Sequence, residues 1–178
     1  MLDNNNMNKK NIVLQLGNFI QNAERNNWIE LNLIATLIKK YLTKLGSKDY
    51  KIIGEFSKNS FGLEVETISS EILFIDLSLN FLDIRFNYFE NNFFIDEVDF
   101  EDIEKYFEYF FNGDYEITSF YDETTKEVYK TKVIWKSKDM SKYNKEYTYK
   151  SLKNFFTKDK SLKESKKSGY KWDLSNNI

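Results

Sequence analysis

Carboxylates are the densest reactive side chains in this chain: Asp96, Glu97, Asp99, Glu101, Asp102 and Glu104 follow one another closely. Such a set can share a proton for general acid–base work or hold a divalent cation. The plain alternative is a solvated helix start, where acids interact favourably with exposed amides. The spacing is not that of a calcium loop. The chain has no histidine and no cysteine, which removes the usual general base at neutral pH, the commonest metal ligand, disulfides and thiol nucleophiles. Paired carboxylates, a carboxylate-held metal or a Ser–Lys pair are what remain. Glu127 and Lys130 come closest to the acid-and-lysine set of a metal-dependent nuclease, on no matching frame. The six glycines are isolated from one another, so no phosphate-cradling loop is present. These features read against an enzyme, and they imply neither a cofactor nor a metal.

Binding chemistry is better supplied. Asp96, Glu97, Glu101, Asp102, Glu104, Glu108, Asp114 and Glu116 surround one expected helix and the strand after it. Facing one way, they would mimic phosphates in a basic nuclease cleft and speed association by steering. The opposing surface lies between Lys130 and Lys171, where Lys130, Lys132, Lys166, Lys167 and Lys171 interleave with Trp135, Tyr147, Tyr170 and Trp172. Lysines with aromatics can grip a single nucleic-acid strand. Direct base readers use arginine more than lysine, and this chain has only Arg25 and Arg85.

Charge divides along the same line. Residues 1–128 hold 12 Lys+Arg against 23 Asp+Glu, and residues 129–178 hold 14 against 5. That asymmetry signals an interaction tail or two oppositely charged faces. The abundance of Asn, Lys, Ile, Phe and Tyr follows AT-rich codons and points to a low-GC bacterium or one of its phages, which discounts raw lysine counts. Aromatics at 17% supply a heavy core and leave rings for a partner. The polar start, Met1 to Asn6, and the short apolar runs give no targeting or membrane signal. A cytoplasmic protein is the expectation.

The elements that must position these residues follow from periodicity. Ile12, Leu16, Phe19, Ile20 and Ala23 form one helical stripe, broken at Asn26-Asn27. A second stripe runs from Leu31 through Ile34, Ile38, Tyr41 and Leu42 to Leu45, widened by Leu33 and Leu37 and stopped at Gly46. Alternation then takes over: Phe61, Leu63 and Val65, then Leu82, Ile84, Phe86 and Tyr88, flank a central strand over 71–79. Tyr50 to Phe56 and Phe93 to Ile95 are weaker strands. Asp99 caps a helix carrying Phe100, Ile103, Phe107 and Phe110, ended by Asn112-Gly113. A hairpin turns at Asp122 to Lys126, with Lys130 and Lys132 outward and Tyr129, Val133 and Trp135 inward. A last helix is expected over Lys145 to Thr157. The prediction is an α+β fold: a mainly antiparallel sheet of about five to seven strands, two N-terminal helices, one mid-chain helix and a C-terminal helix. Residues 1–156 are read as a single domain and 157–178 as a lysine-rich tail with too few apolar anchors to offset chain entropy.

The run Ile84-Arg85-Phe86, Tyr106-Phe107, Phe110 to Glu116 and Val133-Ile134-Trp135 resembles the small immunity proteins of bacterial polymorphic and contact-dependent toxin systems. What is shared is a strand, an acidic helix, an Asn-Gly-Asp turn and a hairpin ending in Trp, over the middle third of the chain. The resemblance implies a cytoplasmic, non-enzymatic inhibitor that blocks a toxin, such as a nuclease, by binding it. These families bind through variable surface positions, so no binding residue carries over. Size, acidity and codon bias equally fit a phage-encoded inhibitor of a bacterial defence nuclease, such as an anti-CRISPR protein. An RNA-binding accessory protein using the Lys/aromatic segment is the third reading.

Overall fold

A computed structural model describes residues 9–46, 50–87, 89–149 and 162–174 of the chain. The chain divides into two compact units, Met1–Lys105 with Asp173–Ile178, and Tyr106–Trp172. The fold is α+β, with one five-stranded and one four-stranded antiparallel sheet. The expected single sheet is thus two, and the five-to-seven-strand estimate falls short of their combined number. Among the described residues no helix is long and apolar enough to cross a membrane.

In the first unit, α1 (Lys9–Arg25) and α2 (Ile29–Lys44) form a hairpin. The Asn26-Asn27 break is a Schellman end: Trp28 N–H donates to the Ala23 carbonyl at 3.0 Å and Asn27 N–H to that of Glu24 at 3.1 Å. Asn27 takes the left-handed conformation this requires, at φ 55°. Gly46 plays no such part, because α2 stops at Lys44 and Leu45 turns into extended backbone. Five strands follow as a meander: β1 (Tyr50–Phe56), β2 (Ser60–Thr67), β3 (Ile72–Ser78), β4 (Phe81–Phe86) and β5 (Phe89–Phe94). Their inward rows are apolar across the sheet: Ile52, Val65, Leu73, Phe86 and Phe89 stand in register and are buried. Phe19 of α1 meets Phe61 edge to face at 5.0 Å, which seats the helix on this layer.

Helix α3 (Phe100–Asn112) begins in the first unit and continues into the second. Its cap is the expected one, Asp99 Oδ1 accepting Glu101 N–H at 3.0 Å. Gly113 ends it at φ 69°, with Asp114 N–H reaching the Tyr109 carbonyl at 2.9 Å. The second unit then builds a sheet in the order β8-β7-β6-β9, from β6 (Tyr115–Tyr121), β7 (Val128–Trp135), β8 (Lys145–Thr148) and β9 (Lys163–Ser168). A 3-10 turn, Lys138–Tyr143, joins β7 to β8. The core of this unit is aromatic. Tyr106, Phe110, Phe111, Tyr115, Trp135 and Trp172 are all buried, with ring centroids 5.0–6.2 Å apart in contacting pairs.

Two C-terminal expectations are corrected. Lys145–Thr148 pairs with β7 as a strand instead of opening a helix. Tyr147 and Lys145 alternate there with Glu146 and Thr148, a period of two that the lysine-rich context obscures. Residues 150–157 of the expected helix lie outside the described residues. The described part of the expected tail, residues 162–174, is not loose either. All six residues of β9 are exposed, so it is held to β6 by its ladder, from Glu116↔Ser168 to Tyr121↔Lys163. Trp172, 2% exposed, then anchors the chain, its backbone N–H donating to the Phe111 carbonyl at 3.1 Å.

Leu16, Ile34, Ile38, Leu73, Ile75, Leu82, Ile84, Phe86, Ile103, Phe107, Phe110 and Trp135, the expected core, are all buried, Phe107 at 1% exposure. Leu33 beside the α2 stripe is instead exposed, and Ile20 and Tyr129 are half-buried. Phe107→Ala and Trp172→Ala are each expected to cost about 3–5 kcal/mol, read from urea midpoints. An unchanged midpoint in Trp172→Ala would show that the C-terminal anchor contributes nothing to the fold.

Candidate interaction surface

The outward face of the five-stranded sheet repeats the inward rows in polar form. Ile53, Glu64, Phe74, Arg85 and Glu90 make one row, and Glu55, Gly62, Asp76, Asp83 and Asn92 the next. Lys51 and Glu66 head a third. Asp76 and Asp83 stand directly opposite, a destabilising juxtaposition unless a cation intervenes. Arg85, two residues from Asp83 and diagonal to Asp76, supplies it. Its Nη2 donates to Asp76 Oδ2, and its Nε lies 3.0 Å from Asp83 Oδ2. The guanidinium also sits over the Phe74 ring, 5.2 Å from the centroid. A β-carbon at Gly62 would lie 2.6 Å from Asp76 Oδ1, so glycine makes room for this carboxylate.

Burial raises the Asp83 carboxyl above its ordinary value; Arg85 opposes the rise, and Glu90 and Asp76 add to it. Its inner oxygen, Oδ1, is buried with no hydrogen-bond partner among the described residues. A shallow cleft of about 610 Å³ runs along these residues, with Glu55, Phe56 and Phe81 in its walls. Phe81 and Phe94 are cross-strand partners at the end of this face, 44% and 60% exposed. Sequence reading missed this surface. The signal was present in the polar halves of the alternating strands, but only the register brings those halves into rows.

The eight carboxylates singled out from the sequence are distributed between the two units. Asp96 and Glu97 are exposed on the turn before α3, and Glu101 and Glu104 are exposed on its first turns. Asp102 is half-buried. Glu104 pairs with Lys40 at 3.5 Å, both side chains about half exposed. Glu108, Asp114 and Glu116 belong to the second unit. Glu108 is exposed and continues the α3 spacing of Glu101 and Glu104, whereas Asp114 and Glu116 are half-buried. Glu116 lies 4.0 Å from Lys166.

The five lysines all belong to the second unit but not to one face. Lys130, Lys132 and Lys166 share the outward face of the four-stranded sheet, because Lys166 pairs with Thr118 and Lys132 does too, from the other side. Lys130 and Lys132 both lie over Phe120 at 5.9 Å. Glu146 receives both, at 2.6 and 3.3 Å. The hydrogen bond from Lys130 leads in holding the Glu146 carboxyl below its ordinary value, with Lys132 assisting. Lys166 is matched by Glu164 at 3.2 Å. Lys167 faces the opposite side, in register with Ile117, and Lys171 is exposed beyond the strand.

Among the described residues no three His, Cys, Asp or Glu side chains are grouped to hold a metal ion. No protein family, curated protein or solved structure matches this chain.

Asp83 gives the surface a pH signature. Its folded carboxyl holds a proton more tightly than the unfolded one, so its contribution is stabilising below the ordinary carboxylate range and is lost as pH rises through the raised value. Asp83→Asn is therefore expected to be at least as stable as the parent at about pH 7 and to show a smaller stability loss between about pH 4 and 7. Urea midpoints at both pH values test this. A variant weaker at pH 7 with the parent's pH slope would mean that the pair with Arg85 outweighs desolvation.

Proposed function

We propose that this chain is a non-enzymatic binding protein that blocks a cationic protein partner, a bacterial toxin such as a nuclease, in the manner of a cytoplasmic immunity protein. The observation that carries the reading is unequal neutralisation of the two kinds of charge. Asp96, Glu97, Glu101 and Glu108 make no ion pair among the described residues, and Glu104 has only the exposed Lys40. An exposed pair of that kind is worth about 0–1 kcal/mol to stability and offsets the charge of Glu104 alone. The three lysines on the outward face of the four-stranded sheet, Lys130, Lys132 and Lys166, are instead matched there by Glu116, Glu146 and Glu164. Uncompensated carboxylates attract a basic protein from a distance, while compensated lysines offer little to a phosphate backbone. That balance favours a protein partner over RNA.

A phage-encoded inhibitor of a defence nuclease would present the same chemistry. The neighbouring reading frame separates the two roles, a large secreted toxin supporting immunity and phage structural genes supporting anti-defence.

Affinity capture from the native cell, followed by mass spectrometry, identifies the partner. Against it, Glu101→Lys, Glu104→Lys and Glu108→Lys combined are expected to slow association about tenfold at low salt and to flatten its salt dependence. The far-ultraviolet circular dichroism should be unchanged. An association rate and salt slope equal to the parent's would remove the acidic helix from the contact.

A further inference from the structure

The outward face of the five-stranded sheet differs from an ordinary solvated sheet in two ways. Six carboxylates, Glu55, Glu64, Glu66, Asp76, Asp83 and Glu90, share it with only Lys51 and Arg85. Lys51 is 3.9 Å from Glu66, and Arg85 is committed to Asp76 and Asp83. Glu55 and Glu64 make no ion pair among the described residues. Beside them the Phe81–Phe94 pair holds two rings in the solvent, where a single polar residue at either position would satisfy the strand. The cleft between Glu55 and Phe81 joins the Asp76–Asp83 row to the first of these rings.

We propose that this sheet face is a docking surface for a segment of the protein partner that is basic and apolar together. Its cationic side chains meet the Glu55 and Glu64 rows, and its apolar side chains cover Phe81 and Phe94. This rests on the reading of the chain as a binder of a cationic protein and names where that partner sits. Charge decides the occupant. A second copy would bring the same carboxylate excess against this one, and a nucleic acid would bring phosphates, so both are repelled. Carboxylates alone would accept any polycation; the ring pair adds a demand for apolar contact. The Arg85 clamp fixes Asp76 and Asp83 before a partner arrives, so little side-chain freedom is lost on docking.

Two peptides of equal length and charge, alternating Arg-Phe and alternating Arg-Ser, separate these demands. Titrated into the full chain and followed by backbone amide shifts, the Arg-Phe peptide is expected to bind about tenfold tighter, from burial of apolar surface. Its shifts should map to β1 through β5. Phe81→Thr with Phe94→Thr, both at exposed strand positions, should abolish the preference and keep the parent's urea midpoint. Glu55→Gln with Glu64→Gln should weaken both peptides alike. Equal binding of the two peptides, or shifts confined to α3, would overturn the proposal. In the latter case, loss of binding in the α3 charge-reversal variant would leave the cationic-partner reading standing without this face. If neither set of variants alters binding of the captured partner, both readings fail. A parent that sediments as a dimer, with the Phe81→Thr/Phe94→Thr variant monomeric, would assign the face to a second copy and also overturn the proposal.

Discussion

In the five-stranded sheet Leu63, Ile75 and Ile84 stand opposite one another on one face, and Gly62, Asp76 and Asp83 on the other. Side chains alternate with a period of two, so a slip of one residue in any strand exchanges the rows. Such a slip would expose aliphatic side chains worth about 1.5–3 kcal/mol each in burial. It would also force aspartates into an apolar layer, at several kcal/mol per charge. The register is therefore held from both sides. The outward surface inherits it: the facing of Asp76 and Asp83, the diagonal reach of Arg85 and the pairing of Phe81 with Phe94 are all consequences of where the inward residues must lie.

What could be read from the sequence follows from how local each determinant is. The stripe through Leu16 and the one through Ile34 and Ile38 lie within single helices, and all three residues are buried. Asp99 and Gly113 act on their own helix ends, so the bounds of α3 were legible too. The inward residues of β4, Leu82, Ile84 and Phe86, declared themselves by alternation alone. The C-terminal region was opaque for the opposite reason. β9 owes its place to backbone bonds with β6, about 45 residues earlier in the chain, and its side chains, Lys-Glu-Ser-Lys-Lys-Ser, carry no apolar pattern. Trp172 read as a weak anchor in a charged tail because its partners, Phe110 and Phe111, lie far away in sequence. The candidate surface fell between these cases. Each strand's polar half was visible, but a sequence does not state which polar residues face one another.

The two sheets arrange charge by the same device with the signs exchanged. On the first, Arg85 stands between Asp76 and Asp83; on the second, Glu146 stands between Lys130 and Lys132. In the first, the two like charges face each other across the ladder and Arg85 lies two residues from Asp83 on its own strand; in the second, the like charges are two apart on β7 and Glu146 meets them from β8. The surroundings make the difference. Around the lysine triad, Glu116 and Glu164 take up Lys166, and the face closes on itself. Around the arginine triad, the remaining carboxylates in the same rows are Glu55, Glu64 and Glu90, and Lys51 beside Glu66 is the other base on that face among the described residues. Ion pairing at exposed sites contributes little to stability in either sheet. Its consequence lies in the field left over, which vanishes at short range from a balanced face and extends about a Debye length from an unbalanced one. A chain with no histidine or cysteine can select a partner through such a field and then hold it through exposed rings, which is the division of labour proposed for the carboxylate rows and the Phe81–Phe94 pair.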